Sequence, residues 1–128
     1  MAEDFFYGLE EIDYAYRVIK AGFEILYEPA IRMMEHNDPG GRRPEARVQR
    51  MRLTNKFMIS FMHLPLPYLI VNIPLFSLYV LKLNRGRVNV PGALADFAAW
   101  AWRNRRRRQP IDRRARAYIR ACGGQVWK

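Results

Sequence analysis

The apolar residues near the start of the chain recur with the period of an α-helix. A helix over residues 9–21 would gather on one face the apolar side chains of Leu9, Ile12, Tyr16 and Ile19. A second face would carry the polar side chains of Glu10, Asp13 and Arg17. Asp13 and Arg17 stand at positions i and i+4, so the pattern predicts that their side chains reach each other. Gly22 follows as a residue that can end the helix with a positive φ angle.

Two short runs of aromatic and branched residues come after Gly22 and are typical of β-strands. The pattern predicts strands over residues 23–27 and 31–34, separated by Pro29. Residues 36–41 then combine histidine, asparagine, aspartate, proline and glycine, which indicates a loop.

The rest of the chain has the pattern of helices separated by proline and glycine. A helix over residues 44–63 starts with a proline, which suits the first helical position, and stops before Pro65. Another begins at residue 91 and runs into the arginines at 103–108, until Pro110 ends it. Residues 112–121 form a short, basic, amphipathic helix pattern.

Residues 64–83 are almost uncharged, and their length approaches the roughly 20 residues that a membrane-spanning helix needs. Helix-breaking or polar residues interrupt the run, namely Pro65, Pro67, Asn72, Pro74 and Lys82. We therefore expect an apolar helix that packs on the protein or enters the membrane interface, in preference to one that spans the bilayer.

Charge is distributed unevenly along the chain. Of 128 residues, 22 are basic and 12 are acidic, which gives a net charge of +10, and the part after Trp102 is dense in arginine. Such asymmetry favours an anionic partner, either lipid headgroups or nucleic acid. The arginines at 105–108 have no zinc-finger spacing or aromatic RNA-binding signature around them. The single cysteine, Cys122, excludes an internal disulfide and a cysteine-rich zinc site.

The acidic residues at the start of the first helix have two explanations. Glu10, Glu11 and Asp13 fall in the first turn, where carboxylates compensate the helix dipole, and an Asp–Arg pair is common surface chemistry. A carboxylate that is held ionised there, beside aromatic residues, can also accept a proton from a substrate. The spacing alone leaves both explanations open.

The order of residues from position 5 to position 36 adds a resemblance to a known family. The residues that carry the resemblance are Phe5-Phe6, Glu10-Glu11-Ile12-Asp13, Arg17, Gly22-Phe23, Pro29 and His36. This set resembles the C-terminal end of the catalytic domain of family-2 glycosyltransferases, the inverting nucleotide-sugar enzymes of the GT-A fold. The resemblance implies an α/β (GT-A type) fragment that is mostly helical here, with two short strands near the N-terminus followed by several helices.

The same resemblance implies how the chain is organised. Residues 1–63 would be the C-terminal part of the catalytic domain, and residues 64–90 an apolar, membrane-associated segment with a turn. Residues 91–128 would form the basic amphipathic C-terminal helices. The nucleotide-binding half of the family precedes this region, so we expect a C-terminal portion that is inactive by itself.

The resemblance also implies the roles of residues on the first helix. Glu11 aligns with the catalytic base that takes the proton of the acceptor hydroxyl. Glu10 and Asp13 would order the acceptor pocket and fix the substrate-binding residue Arg17.

Further roles fall on the loop after the predicted strands. His36 would ligate a divalent metal, Mg²⁺ or Mn²⁺, that neutralises the leaving diphosphate. Arg42 and Arg43 would bind substrate at the end of a glycine-containing loop that folds over the nucleotide sugar.

We therefore expect a glycosyltransferase portion whose partners are a nucleotide-sugar donor, a glycan or lipid-linked acceptor and an anionic membrane surface at the cytoplasmic face. Two other classes remain open: a non-catalytic basic protein of the membrane surface and a nucleic-acid-binding fragment. Lipid binding without sugar-nucleotide binding would favour the first, and salt-sensitive DNA binding without lipid preference would favour the second.

Overall fold

The structure, a computed structural model, describes residues 9–34 and 45–124. These ranges contain five α-helices, with a short 3₁₀ turn at Arg105–Arg107 after the fourth. In chain order the helices are α1 (Glu10–Lys20), α2 (Glu45–His63), α3 (Leu66–Leu83), α4 (Val90–Asn104) and α5 (Arg113–Ala121). Four of them begin and end close to the positions that the sequence pattern predicts, whereas α4 ends at Asn104, before most of the arginines that it was expected to include.

The prediction of two short strands, and with it the α/β (GT-A type) fold class, is wrong for the described residues. Residues 23–27 and 31–34 form no strand, and the described part of the chain is entirely helical apart from turns and loops. The side chains there suit a pleated sheet, but a strand exists only when its backbone pairs with a neighbour. Here the amide of Ile25 donates instead to the Tyr118 hydroxyl, at 3.1 Å, and the amide of Ile31 to the Glu28 carbonyl oxygen, also at 3.1 Å.

Helix α2 is the centre of the fold. Leu53, Phe57 and Ile59 are almost completely removed from solvent, because both α3 and α4 pack against α2. Phe97 of α4 contacts α2 through an edge-on ring pair with Phe57, whose centroids are 5.7 Å apart. Burial of large apolar side chains of this kind is the main stabilising contribution in such a bundle.

Helices α2 and α3 form an antiparallel hairpin, with Leu64 and Pro65 as the connection. Pro65 cannot continue α2, and α3 starts directly behind it. The two helices are joined by a buried hydrogen bond of 3.0 Å from the Ser60 hydroxyl to the Asn72 side-chain oxygen. The buried residues of α3 include Leu69, Ser77 and Val80, and Val80 belongs to the same apolar core as Leu53 and Phe57 of α2.

The segment between α4 and α5 closes the C-terminal end of α2. The amide of Ile111 donates to the His63 carbonyl oxygen at 2.8 Å, and the amide of Gln109 donates to the Met62 carbonyl oxygen at 3.1 Å. Arg108 donates to the carbonyl oxygens of Phe61 and Leu64. These groups satisfy carbonyls that a helix end leaves without partners.

The division of the chain into the segments 1–63, 64–90 and 91–128 stays a prediction.

Candidate functional site

The first turn of α1 presents two carboxylates to solvent. Glu10 and Glu11 are both exposed, and they lie at the end of the helix where the dipole favours negative charge. Leu9 begins the helix in the left-handed region, at φ 71°, without a side-chain cap. Its carbonyl oxygen accepts from the amides of Ile12 and Asp13 at 3.1 and 3.3 Å. The turn is therefore ordered by its backbone, and the two glutamates are left free of a capping role.

Asp13, in the same turn, has the opposite environment. Only 2 % of Asp13 is exposed, and one of its carboxylate oxygens accepts from Arg17 Nε at 2.9 Å, as the i,i+4 spacing predicts. The other oxygen lies 2.7 Å from Nε2 of His63, the last residue of α2. The pair is thus more than surface chemistry, because Asp13 fixes α1 to the end of the central helix.

His63 is buried on all sides at this junction. The ring of Tyr16 stacks on it, with centroids 5.1 Å apart and planes 20° from parallel. Burial lowers the pKa of His63 from its usual value of 6.5, and the charges of Arg17 and Lys20 lower it further, while Asp13 acts in the opposite direction. The imidazole is therefore neutral near pH 7, and the proton on Nε2 is assigned from its donation to Asp13. Among the described residues, its Nδ1 has no hydrogen-bond partner.

The carboxylates of this one helical turn therefore differ in whether a substrate can reach them. Asp13 is occupied by Arg17 and His63, so its carboxylate is closed to a substrate in this conformation. Glu10 and Glu11 remain accessible at a fixed position, because the anchor at Asp13 restrains the helix that carries them. An exposed carboxylate on a restrained helix is suited to accept a proton from a bound hydroxyl.

Sequence reasoning assigned no role to His63. The residue stands 50 positions from Asp13, and no local pattern connects the two. The signal in the sequence is a histidine at the last position of a helix, which indicates either a helix-dipole contact or a buried polar partner. Only the packing of α1 on α2 distinguishes these two explanations.

Three of the predicted site residues lie outside the described residues: His36, Arg42 and Arg43. Within residues 9–34 and 45–124, no three histidine, cysteine, aspartate or glutamate side chains converge as a metal site. A depression of about 50 Å³ lies between the end of α1 and α5, beside Glu24, Arg114 and Tyr118. It is far below the roughly 300–1,000 Å³ of ordinary ligand pockets.

A second surface of interest is the side of α3 that faces away from α2. We call it the outward face of α3; it consists of Leu66, Ile70, Val71, Leu75, Leu78, Tyr79 and Leu83, all exposed. Within the part of the chain that the structure describes, α3 is the one helix whose length and composition suffice to cross a membrane, and 22 % of it is buried in the protein. An apolar face of this extent is unusual on a protein surface that contacts only water.

The tryptophans and arginines at the end of α4 and just after it differ in exposure and in their contacts. Trp100 is buried, whereas Trp102 is 69 % exposed, so only the second is accessible to a headgroup layer. Arg105 stacks over the Trp102 ring at 4.2 Å. Arg108 is committed to the end of α2, as described above. Arg103 and Arg105–Arg107 are exposed, whereas Arg108 is half-buried.

In comparisons with protein-family models, curated proteins and solved structures, no significant match to this chain was found.

Proposed function

We propose that this chain supplies the acceptor-activating helix of an inverting, nucleotide-sugar-dependent glycosyltransferase, with Glu11 as the general base. The observation that carries the proposal is the anchoring of α1: Asp13 is buried against Arg17 and His63, while Glu11 in the same turn is exposed. The resemblance of residues 5–36 to that enzyme family supplies the reaction, and the anchor supplies a physical reason for a fixed, accessible carboxylate.

In the proposed reaction, the oxygen of an acceptor hydroxyl forms a bond to the anomeric carbon of the donor sugar. The bond from that carbon to the nucleoside diphosphate breaks on the opposite face, and the hydroxyl proton passes to Glu11. Glu10 orients the acceptor beside it. Arg17, held by Asp13, contributes positive charge near the site. A positioned base of this kind is worth roughly 10²- to 10⁴-fold in rate.

The donor side of the reaction belongs to the proposal only through the resemblance. In the family that residues 5–36 resemble, the donor is bound by an α/β half that precedes this region, and we propose the same for this enzyme. The resemblance also implies a divalent metal, Mg²⁺ or Mn²⁺, that has His36 among its ligands. It further implies substrate contacts from Arg42 and Arg43.

The test is Glu11→Gln in the complete enzyme. We expect kcat to fall by roughly 10²- to 10⁴-fold while donor binding is retained, because the base contacts the acceptor. The matched control is Glu24→Gln, at an exposed glutamate beyond the end of α1, which should leave kcat within twofold. The 128-residue chain alone should show no multiple-turnover transfer. A kcat for Glu11→Gln close to that of the wild type would remove Glu11 from the mechanism.

A second property that we propose is attachment to the cytoplasmic face of an anionic membrane. It is favoured by the outward face of α3 together with the exposed side chains of Trp102, Arg103 and Arg105–Arg107. Arginines near an anionic surface each contribute about 1 kcal/mol, and basic residues remain on the cytoplasmic side, where nucleotide sugars are made. This property accompanies the enzyme, or stands alone if the chain is a non-catalytic membrane-surface protein.

Flotation of the protein with vesicles that contain phosphatidylglycerol tests the attachment. We expect co-flotation at low salt, weakened when Arg103 and Arg105–Arg107 are replaced by serine and when the salt concentration is raised. A protein that remains in the soluble fraction at low salt would contradict it.

A further inference from the structure

We infer that α3 lies in the plane of a single leaflet, with its outward face among the acyl chains and its opposite face on α2, and that it does not cross the bilayer. The inference rests on the membrane attachment proposed above and deepens it by fixing how the helix meets the lipid.

The first argument is the two-sided environment of α3. Its inward residues, such as Leu69 and Val80, are buried against the rest of the bundle, and Asn72 accepts the buried hydrogen bond from Ser60. Its outward face is apolar from Leu66 to Leu83. A spanning helix with this fold would take its neighbour α2 into the bilayer with it. A helix lying in the interface exposes one side to lipid and keeps protein on the other.

The second argument is the position of Lys56, a lysine of α2 that lies beside the middle of α3. Lys56 of α2 places its Nζ 5.3 Å from the ring of Phe76, which stands near the centre of α3. If α3 crossed the bilayer, this ammonium group would lie near the bilayer centre, where charged side chains are costly. With α3 in the interface, α2 lies on the water side of α3, and the half-buried Lys56 stays outside the acyl chains.

The third argument is that basic groups lie at both ends of α3. Its last turn and the following loop carry Lys82, Arg85 and Arg87, all exposed. At its first turn, the Arg120 guanidinium lies 3.4 Å from the Tyr68 hydroxyl. A helix that crosses a membrane has its excess of basic residues on one side. Basic groups at both ends fit a helix whose two ends lie at the headgroup level of the same leaflet.

The distribution of positive charge also favours lipid, rather than a second copy of this chain, as the partner of the outward face of α3. Two copies paired along their outward faces would bring these basic ends toward each other, and the whole chain already carries a net charge of +10. Like charges at an interface oppose association. An apolar stripe between cationic ends matches the boundary between acyl chains and anionic headgroups.

The experiment measures depth along the helix. In a Cys122→Ser background, single cysteines at Leu66, Leu75 and Leu83 carry an environment-sensitive fluorophore, and vesicles of phosphatidylcholine and phosphatidylglycerol contain quenchers at shallow or deep acyl positions. We expect all three labels at the same shallow depth, about 5–10 Å below the headgroups. A label at Leu75 that lies at the bilayer centre, with the other two near opposite surfaces, would overturn this inference and leave membrane attachment intact.

A matched pair of variants tests which face is used. Ile70 on α3 and Ile31 outside it are similarly exposed, at 77 % and 71 %. We expect Ile70→Glu to weaken vesicle partitioning by about tenfold or more, because one buried apolar side chain is worth that much. Ile31→Glu should change it less than twofold, and circular dichroism checks that both variants fold.

Equal partitioning of these two variants would overturn the inference. So would a dimer in sedimentation that Ile70→Glu abolishes, without vesicle binding, since the face would then cover a second copy. Absence of any vesicle binding by the wild type would overturn the attachment and the inference together, and would leave the proposed role of Glu11 unaffected.

Discussion

Helices α2 and α3 are consecutive and nearly equal in length, at 19 and 18 residues, yet they differ in how far their side chains are buried. Helix α2 is rich in charged and polar residues and still lies at the centre of the fold, with Phe57 at 0 % exposure. Helix α3 is the more apolar of the two, and much of it faces outward. Position between neighbours, rather than apolar content, determines which helix is buried.

The difference also shows what each helix requires of its surroundings. The polar side chains that α2 buries have partners: Thr54 donates to the Arg50 carbonyl oxygen at 3.0 Å, and Ser60 and His63 pair with Asn72 and Asp13. Buried polar groups of this kind are tolerated when they are hydrogen-bonded. The outward face of α3 has the converse property, because its apolar side chains still contact water in the isolated chain.

The largest effect that this comparison predicts concerns a matched pair of truncations. Phe57→Ala should lower the free energy of unfolding by about 3–5 kcal/mol, because it leaves a cavity in the centre of the bundle. Leu78→Ala, on the outward face of α3, should change it by about 0.5 kcal/mol or less. Urea unfolding followed by circular dichroism measures both. Similar losses for the two variants would mean that α3 is covered within the soluble protein.

A smaller effect is expected where α1 is anchored to the end of α2. Asp13→Ala should cost about 3 kcal/mol, because the buried His63 loses its acceptor and Arg17 loses its carboxylate. Glu10→Ala, at an exposed position of the same turn, should cost about 0.5 kcal/mol or less. The same unfolding assay applies. If Asp13→Ala behaves like Glu10→Ala, α1 is not held by this contact and the support for Glu11 as a positioned base is lost.

The sequence predicted the helices better than the contacts between them. The spacing of Leu9, Ile12 and Tyr16, and prolines such as Pro65, located α1 and the end of α2, because helix periodicity and helix breaking are local properties. Strands at residues 23–27 and 31–34 were predicted from β-propensity, which does not reveal whether a pairing partner is present. The Asp13–His63 contact joins residues far apart in the chain, so its recognition depended on the tertiary packing.

The buried polar end of α2 should also make stability depend on pH. Burial lowers the pKa of His63 in the folded protein below its usual 6.5, so the unfolded chain binds the proton more readily. The stabilising contribution is complete above pH 6.5 and is lost as the pH falls toward the lowered pKa, by up to about 1.4 kcal/mol per unit. Urea midpoints between pH 7.5 and 5 measure this, and His63→Gln should reduce the slope. An unchanged slope in that variant would assign the dependence to other groups.

The smallest effect concerns the hydrogen bond that holds α3 against α2. Ser60 and Asn72 meet in the buried side of the hairpin, at 3.0 Å, and each is nearly inaccessible to solvent. A double-mutant cycle with Ser60→Ala and Asn72→Ala should give a coupling energy of about 1 kcal/mol, the usual net value of such a bond. The cycle is then repeated with the protein bound to anionic vesicles. If α3 lies in one leaflet with its inward face on α2, the bond persists and the coupling keeps its value. A coupling that disappears on vesicle binding would mean that α3 separates from α2 when it enters the lipid.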